Sequence, residues 1–515
     1  NVGVRSDSDG VGERAGRRCG GRGVGGARAG GQLPRRAGAR RPVRSVMNRH
    51  IKLMSETMYN DIKNTKKSFQ AALPHEKFDE TFEAFTESAI CPQIKEIYSK
   101  RNSDRYEGTL DCLRLNVFVP NTETEHRGVY IFVFGGKFED GHSELNLYGP
   151  KYLVRHDIIV VTFNFRSGPY GFMCADIPEI PGNQGLRDQY AAVEWVRDNI
   201  RAFGGDPGRL TLGGHSSGAQ LVDMHLLTDR PRLFRRAILQ SGAAVGPDFL
   251  GPSDPTALVD IAGRLAVIEV TEKRYEWTPC VEKKFPGVVP FVTENPEFSA
   301  GRNVDGSDIL GGFTRSEAAY TRYTSSYRHL YRQPAGFRSY LEKTFNLRNE
   351  SDLVDIVRRF YVDDDGDRDI VEDQIVDLLS DFVFAYPVQR QLTKYARHGN
   401  TSVYLYEFSY DGRRNRMKRI LNMTEAGATH SDELGYMFTM DFIPETDDSG
   451  DRRMIDRLTT LWANFVKYGI LFSCSCNYFI LKTDRRTDSH RSLMNRVPFS
   501  PFGYGTLKTI KTTTV

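Results

Sequence analysis

Leu210-Thr211-Leu212-Gly213-Gly214-His215-Ser216-Ser217-Gly218-Ala219-Gln220 joins a short apolar run to a Gly-x-Ser-x-Gly pentapeptide, and a helix-compatible run to Leu227 follows. Strand, sharp turn and helix are the context in which such a pentapeptide lifts a serine hydroxyl above a sheet. The glycines answer a steric need. The turn forces Ser216 into a strained backbone conformation, and a Cβ at either flank would collide with the neighbouring strand or helix. A bare Gly-x-Ser-x-Gly arises by chance, so its weight depends on its surroundings and on partners elsewhere in the chain.

Outward from this stretch, strands and helices alternate. Residues 129–134 and 158–165 are apolar, β-branched and aromatic runs suited to buried strands; 210–212, 237–239 and 403–408 are further ones. A helix starts near Asn183, carries Leu186, Tyr190, Val193, Trp195, Val196 and Ile200 among interleaved charges, and stops at Gly204-Gly205-Asp206-Pro207. Near-continuous apolar strands alternating with helices predict an α/β fold, a mostly parallel sheet covered on both faces. In such a sheet the functional site lies at the carboxyl ends of the strands, where Ser216 falls.

The charge balance separates the ends from the body. Residues 1–46 hold eleven Arg, three acidic residues and twelve Gly, a net +8 that leaves −4 for the rest of a chain whose total is +4. The mildly acidic body offers no basic face, which argues against a nucleic-acid partner. The first 46 residues cannot bury enough surface to offset their ordering entropy and are expected to be disordered, with Met47 or Met54 as a natural start. Residues 68–470 read as one domain, and 471–515 show no usable periodicity. No run of eighteen apolar residues suggests an integral membrane segment. Seven cysteines, at 19, 91, 112, 174, 280, 474 and 476, are too few for a disulfide scaffold.

A serine hydroxyl at its free pKa needs a base, and the base needs an orienting group. Downstream of Ser216, Gly427-Ala428-Thr429-His430-Ser431-Asp432-Glu433-Leu434 is a polar loop ahead of an apolar helix, and His430 is its candidate base. Between them, Ile309-Leu310-Gly311-Gly312-Phe313-Thr314-Arg315-Ser316-Glu317 is a strand-like run ending in a loop that carries a carboxylate, Glu317. Taken singly, His430 reads as a solvated or structural imidazole and Glu317 as a loop carboxylate. Amide donors for an oxyanion would come from Ser217 and from a glycine loop, Phe132-Val133-Phe134-Gly135-Gly136-Lys137-Phe138, which taken singly reads as a β-turn.

Together these residues resemble the carboxylesterase/cholinesterase family of α/β-hydrolases (type-B carboxylesterases, insect esterases among them) over about residues 68–470. Asp111-Cys112-Leu113-Arg114-Leu115-Asn116 is similar to the family's early signature. Asn183-Gln184-Gly185-Leu186-Arg187-Asp188-Gln189, running through Phe203-Gly204-Gly205-Asp206-Pro207 to Ser216, is similar to its most specific block. The resemblance implies an α/β-hydrolase fold and a serine carboxylic-ester hydrolase acting on small-molecule esters without metal or cofactor. It implies Ser216 as nucleophile, His430 as general base and acid, Glu317 as orienting carboxylate, and Gly136, Lys137 and Ser217 as oxyanion donors. It further implies Ser241 as a support for the acid and a Cys91–Cys112 disulfide.

The departures shape further expectations. Lys137 stands where the family usually keeps a small residue, so its side chain is expected to crowd the site or to set a charge beside the oxyanion. Ser217 replaces a usual Ala. The family's N-terminal strands have no evident counterpart, and Trp occurs only at 195, 277 and 462, which disfavours a cholinesterase. Cys280 shows no near partner, so the family's second disulfide is expected to be missing. A catalytically impaired adhesion or binding protein of the same group is the alternative. The family implies secretion and glycosylation, with sequons at Asn349, Asn400 and Asn422, whereas no signal peptide is visible and a cytoplasmic location stays open. Oligomeric state is not legible.

Overall fold

The structure is a computed structural model that describes residues 46–52, 89–94, 106–246, 277–299, 301–324, 342, 356–357, 360–361, 368–471 and 478–481. Residues 1–45, Cys19, Cys474, Cys476 and the sequon at Asn349 lie outside them.

Among the described residues nine strands form one sheet. In chain order they are β1 (Val46–Lys52), β2 (Arg114–Pro120), β3 (Arg127–Val133), β4 (Ile159–Phe163), β5 (Gly205–His215), β6 (Arg236–Gln240), β7 (Asp308–Thr314), β8 (Ser402–Phe408) and β9 (Tyr478–Leu481). Their spatial order is β1-β2-β4-β3-β5-β6-β7-β8-β9. Every neighbouring pair from β4 to β9 is parallel, and β2 is antiparallel to both β1 and β4. The central strands β3, β4 and β6 are buried along their whole length, which is why their sequences are apolar without alternation.

Four helices matter for the site: α1 (Gln184–Asn199), α2 (Ser217–Leu227), α3 (Tyr386–Tyr395) and α4 (Ser449–Tyr468). Successive strand residues face opposite sides of a sheet. At Gly311 the side facing outward meets Leu392 of α3; at Gly312 it meets Tyr406, whose ring lies 5.1 Å from Trp462 of α4. Helices thus lie on both faces of the sheet at β7, α3 on one and α4 on the other. Helix α4 is bounded by Asp448, whose carboxylate accepts from Gly450 N and Asp451 N, and by Gly469 at φ 70°.

The block 183–189 earns its specificity by holding the fold. Arg166 and Asp188, both buried, form a bidentate pair at 2.7 and 2.6 Å. Asn183 donates to Cys280 O and to Glu282 Oε1, each at 2.8 Å, and Arg187 pairs with Glu282. Removing one member of such a pair leaves a buried charge without its counter-ion and costs about 3–5 kcal/mol.

Two expectations are corrected here. Cys280 is bonded to Cys174, across a separation of 106 residues, so the second disulfide is present alongside Cys91–Cys112. The partner is not a near neighbour in sequence; the fold brings it from the segment before α1. A strand also precedes β2: Val46–Lys52 runs antiparallel along it, and at the other edge Tyr478–Leu481 extends β8. Single-sided edge strands need no strong apolar pattern, and neither stood out in the sequence.

Candidate active site

The carboxyl ends of β3, β5, β6 and β7 meet at one edge of the sheet, because these strands are parallel neighbours. Each delivers one part of the site: the Gly135 loop, Ser216, Ser241 and Glu317.

Ser216 sits between β5 and α2 at φ 57°, ψ −128°, a strained conformation for any L-residue. Its N–H donates to Gln240 O at 2.7 Å, which ties the turn to β6. A Cβ at Gly214 would lie 2.4 Å from Gly218 O, and one at Gly218 2.4 Å from the carbonyl oxygens of Val133 and Phe134. Both glycines of the pentapeptide are thus demanded by backbone approach. For Gly218 the obstacle is the end of β3.

His430 Nε2 lies 2.9 Å from Ser216 Oγ, and His430 Nδ1 lies 2.7 Å from Glu317 Oε2. Glu317 is fully buried, and its other oxygen accepts from Ser241 Oγ at 2.6 Å and from Thr314 N at 2.7 Å. A carboxylate accepts only, so Nδ1 carries the proton and Nε2 is left to accept from the serine hydroxyl. The two loops are joined by backbone as well: His430 N and Thr429 Oγ1 both donate to Glu317 O, at 3.1 and 3.0 Å. The fold therefore brings together Ser216, His430, Glu317 and Ser241.

Several supporting groups were not anticipated. Asp432, fully buried, accepts from Thr429 N, Asn415 Nδ2, Met417 N and Lys418 N, and so anchors the His430 loop to the first turn of the helix Arg416–Leu421. Three rings surround the imidazole: His215 and Phe384 with centroids 4.7 Å away, and Tyr320 at 5.7 Å. Phe384 comes from a π-helical turn, Ser380–Ala385, leading into α3. Burial, with His430 alongside, holds the His215 imidazole well below its ordinary range, so His430 has a neutral neighbour. Tyr320 and Phe384 reach the imidazole from elements distant in the chain, while His215 and Asp432 lie beside Ser216 and His430 in sequence but act through contacts that only the fold makes.

Glu433 is a further buried carboxyl of the site. Gln240 Nε2 donates to its Oε1 at 3.1 Å, while among the described residues Oε2 has no hydrogen-bond partner. Burial first, and the charge of Glu317 second, push it up to about 8 from 4.5. Between those values the folded protein keeps a proton that the unfolded chain gives up. The group's contribution to stability therefore falls as pH rises from 4.5 to 8 and stays low above that. The Tm advantage of Glu433→Gln over the parent is expected to widen from pH 5 to pH 8 and then level off. A difference independent of pH, read by scanning calorimetry, would contradict this.

On the other side of Ser216, the loop after β3 carries Gly136 at φ 153°, Lys137 at φ 53° and Phe138 at φ 65°. Gly136 N and Phe138 N both donate to Ser217 Oγ, at 3.1 and 3.4 Å. Gly136, expected to aim its amide at an oxyanion, here gives it to the Ser217 side chain. Among the described residues no acceptor meets the Ser217 amide. Lys137 is exposed.

Sheet, elbow turn and the serine–imidazole–carboxylate line define an α/β-hydrolase with a hydrolase-type site. The family model described as "Carboxylesterase family" matches residues 64–284 and 254–478. The chain belongs to this family and is a carboxylic ester hydrolase. It is similar to a juvenile hormone esterase of Heliothis virescens (29% identity, 78% of this chain and 78% of that protein). It is also similar to Esterase B1 of Culex pipiens (29%, 72% and 75%) and to Cholinesterase 1 of Branchiostoma lanceolatum (33%, 41% and 68%). The crystal structure of juvenile hormone esterase from Manduca sexta shares the fold, with a TM-score of 0.69 at 22% identity over 88% of this chain and 94% of that one.

Proposed function

We propose that the chain hydrolyses small-molecule carboxylic esters through an acyl-enzyme on Ser216, with His430 as general base and acid and Glu317 as its orienting carboxylate. The observation that carries this reading is the unbroken hydrogen-bonded line from Ser216 Oγ through both imidazole nitrogens to the buried carboxylate, at 2.9 and 2.7 Å. A non-catalytic binding protein would have no need of it.

In the first half-reaction Ser216 Oγ bonds to the ester carbonyl carbon while its proton passes to His430 Nε2. The carbonyl electron pair becomes an oxyanion, and the imidazolium is held by Glu317. Of the three expected donors we assign the Ser217 amide the leading part, since the Gly136 amide is already bonded to the Ser217 hydroxyl. Collapse breaks the bond to the alcohol oxygen, which leaves with the proton from Nε2. Water then attacks the acyl carbon with His430 again taking a proton, and acid is released with Ser216 restored. Ser241 acts through Glu317 by filling one carboxylate oxygen.

The test is release of nitrophenolate from p-nitrophenyl acetate, with acid-quenched samples analysed for an acetyl group on Ser216. Turnover well above that in buffer and an acetylated Ser216 are expected. Release no faster than in buffer would contradict the reading.

A further inference from the structure

The loop facing the nucleophile contains two consecutive non-glycine residues, Lys137 and Phe138, with φ of 53° and 65°. L-residues resist this left-handed region because the Cβ crowds the backbone, so such a pair persists only where the surroundings hold it. The holding group is visible. The amides flanking Lys137, those of Gly136 and Phe138, converge on one oxygen, Ser217 Oγ, at 3.1 and 3.4 Å. Ser217 itself is buried and opens helix α2, directly after the nucleophile. The loop it holds lies against the reacting atom: a Cβ at Gly135 would fall 2.8 Å from Ser216 Cβ. Further anchors bind the loop through its carbonyls. Glu139 N and Asp140 N donate to Gly136 O, and Gly168 N donates to Phe138 O.

Resting on the acyl-enzyme reading above, we propose that the Ser217 hydroxyl is a positioning group for the oxyanion loop. By accepting the Gly136 and Phe138 amides it clamps the left-handed Lys137–Phe138 turn against Ser216, and the clamp is needed because position 137 is not glycine. Ser217 thus acts twice, with its amide as a donor to the oxyanion and its side chain as the brace of the facing loop. Without the hydroxyl, Lys137 relaxes toward negative φ and the loop drifts from the place where charge develops. The loss then falls on the transition state and not on substrate binding, which places it in kcat. With glycine at 137 the left-handed turn carries no Cβ penalty, and the hydroxyl matters less.

The experiment is a double-mutant cycle on p-nitrophenyl acetate: the parent, Ser217→Ala, Lys137→Gly and the double variant, each titrated with a fluorophosphonate probe to count reactive Ser216. Ser217→Ala is expected to lower kcat about tenfold with KM within about twofold, and by no more than about threefold when Lys137 is already Gly. Equal losses in both backgrounds would overturn the clamp, leaving the hydroxyl a merely structural role. A rise in kcat on Ser217→Ala would overturn it too, since the hydroxyl would then be competing with the oxyanion for the Gly136 amide. A parent that neither turns over ester nor takes the probe overturns the underlying hydrolase reading, and the clamp with it.

Discussion

Ser216→Ala is expected to lower kcat for p-nitrophenyl acetate by about 10⁴–10⁶-fold. The size follows from what is lost and what stays. The substitution deletes the oxygen that His430 Nε2 meets at 2.9 Å and leaves the imidazole, the carboxylate and the amides in place. The fold should not register it. Alanine carries the same Cβ as serine, so the strain at φ 57° is unchanged, and the N–H bond to Gln240 O belongs to the backbone. Thermal denaturation within about 1 kcal/mol of the parent, alongside lost turnover, would place the defect in chemistry. Turnover within tenfold of the parent would mean that another nucleophile does the work.

Glu317→Gln is expected to cost about 10⁴-fold in kcat, although it keeps shape and volume. Glu317 Oε1 receives hydrogen bonds from Ser241 Oγ and Thr314 N, so in the variant the amide oxygen belongs on that side. The amide NH₂ then faces His430 Nδ1, at the 2.7 Å contact the carboxylate makes now. A donor there forces Nδ1 to accept, which moves the imidazole proton to Nε2 and leaves it unable to take the proton of Ser216. The same variant removes the charge that faces Glu433, so it should also shift the pH dependence of stability assigned to that residue. A loss of less than tenfold, measured between pH 7 and 8, would contradict the assignment of Glu317.

The elbow was legible because its constraints are local. Gly214, Ser216 and Gly218 lie within one turn, and the backbone contacts that require the glycines are set by strand and helix on either side. The central strands were legible because burial on both faces leaves a continuous apolar run. Glu317 and His430 were reached through chain order and a family resemblance; neither loop alone distinguishes a catalytic side chain from a solvated one. What escaped is held together over long separations. Cys174 and Cys280 are 106 residues apart, Asp432 acts by closing two loops on a helix end, and Phe384 reaches His430 from a π-helical turn. The bond from Gly136 N to Ser217 Oγ spans 81 residues, and it changes which amides are at hand for an oxyanion. Sequence could name Lys137 as the unusual residue. It could not show that Lys137 is exposed, or that the local strain is shared with Phe138.

The central claim is that Ser216 is an activated nucleophile, and one measurement addresses it without knowledge of the natural ester. Incubation with a fluorophosphonate, followed by intact-mass analysis and peptide mapping, is predicted to give one adduct per chain, on the peptide holding Ser216. His430→Ala should abolish it, because the label requires the base at Nε2. No adduct, or an adduct on another serine with Ser216 unmodified, would contradict the account.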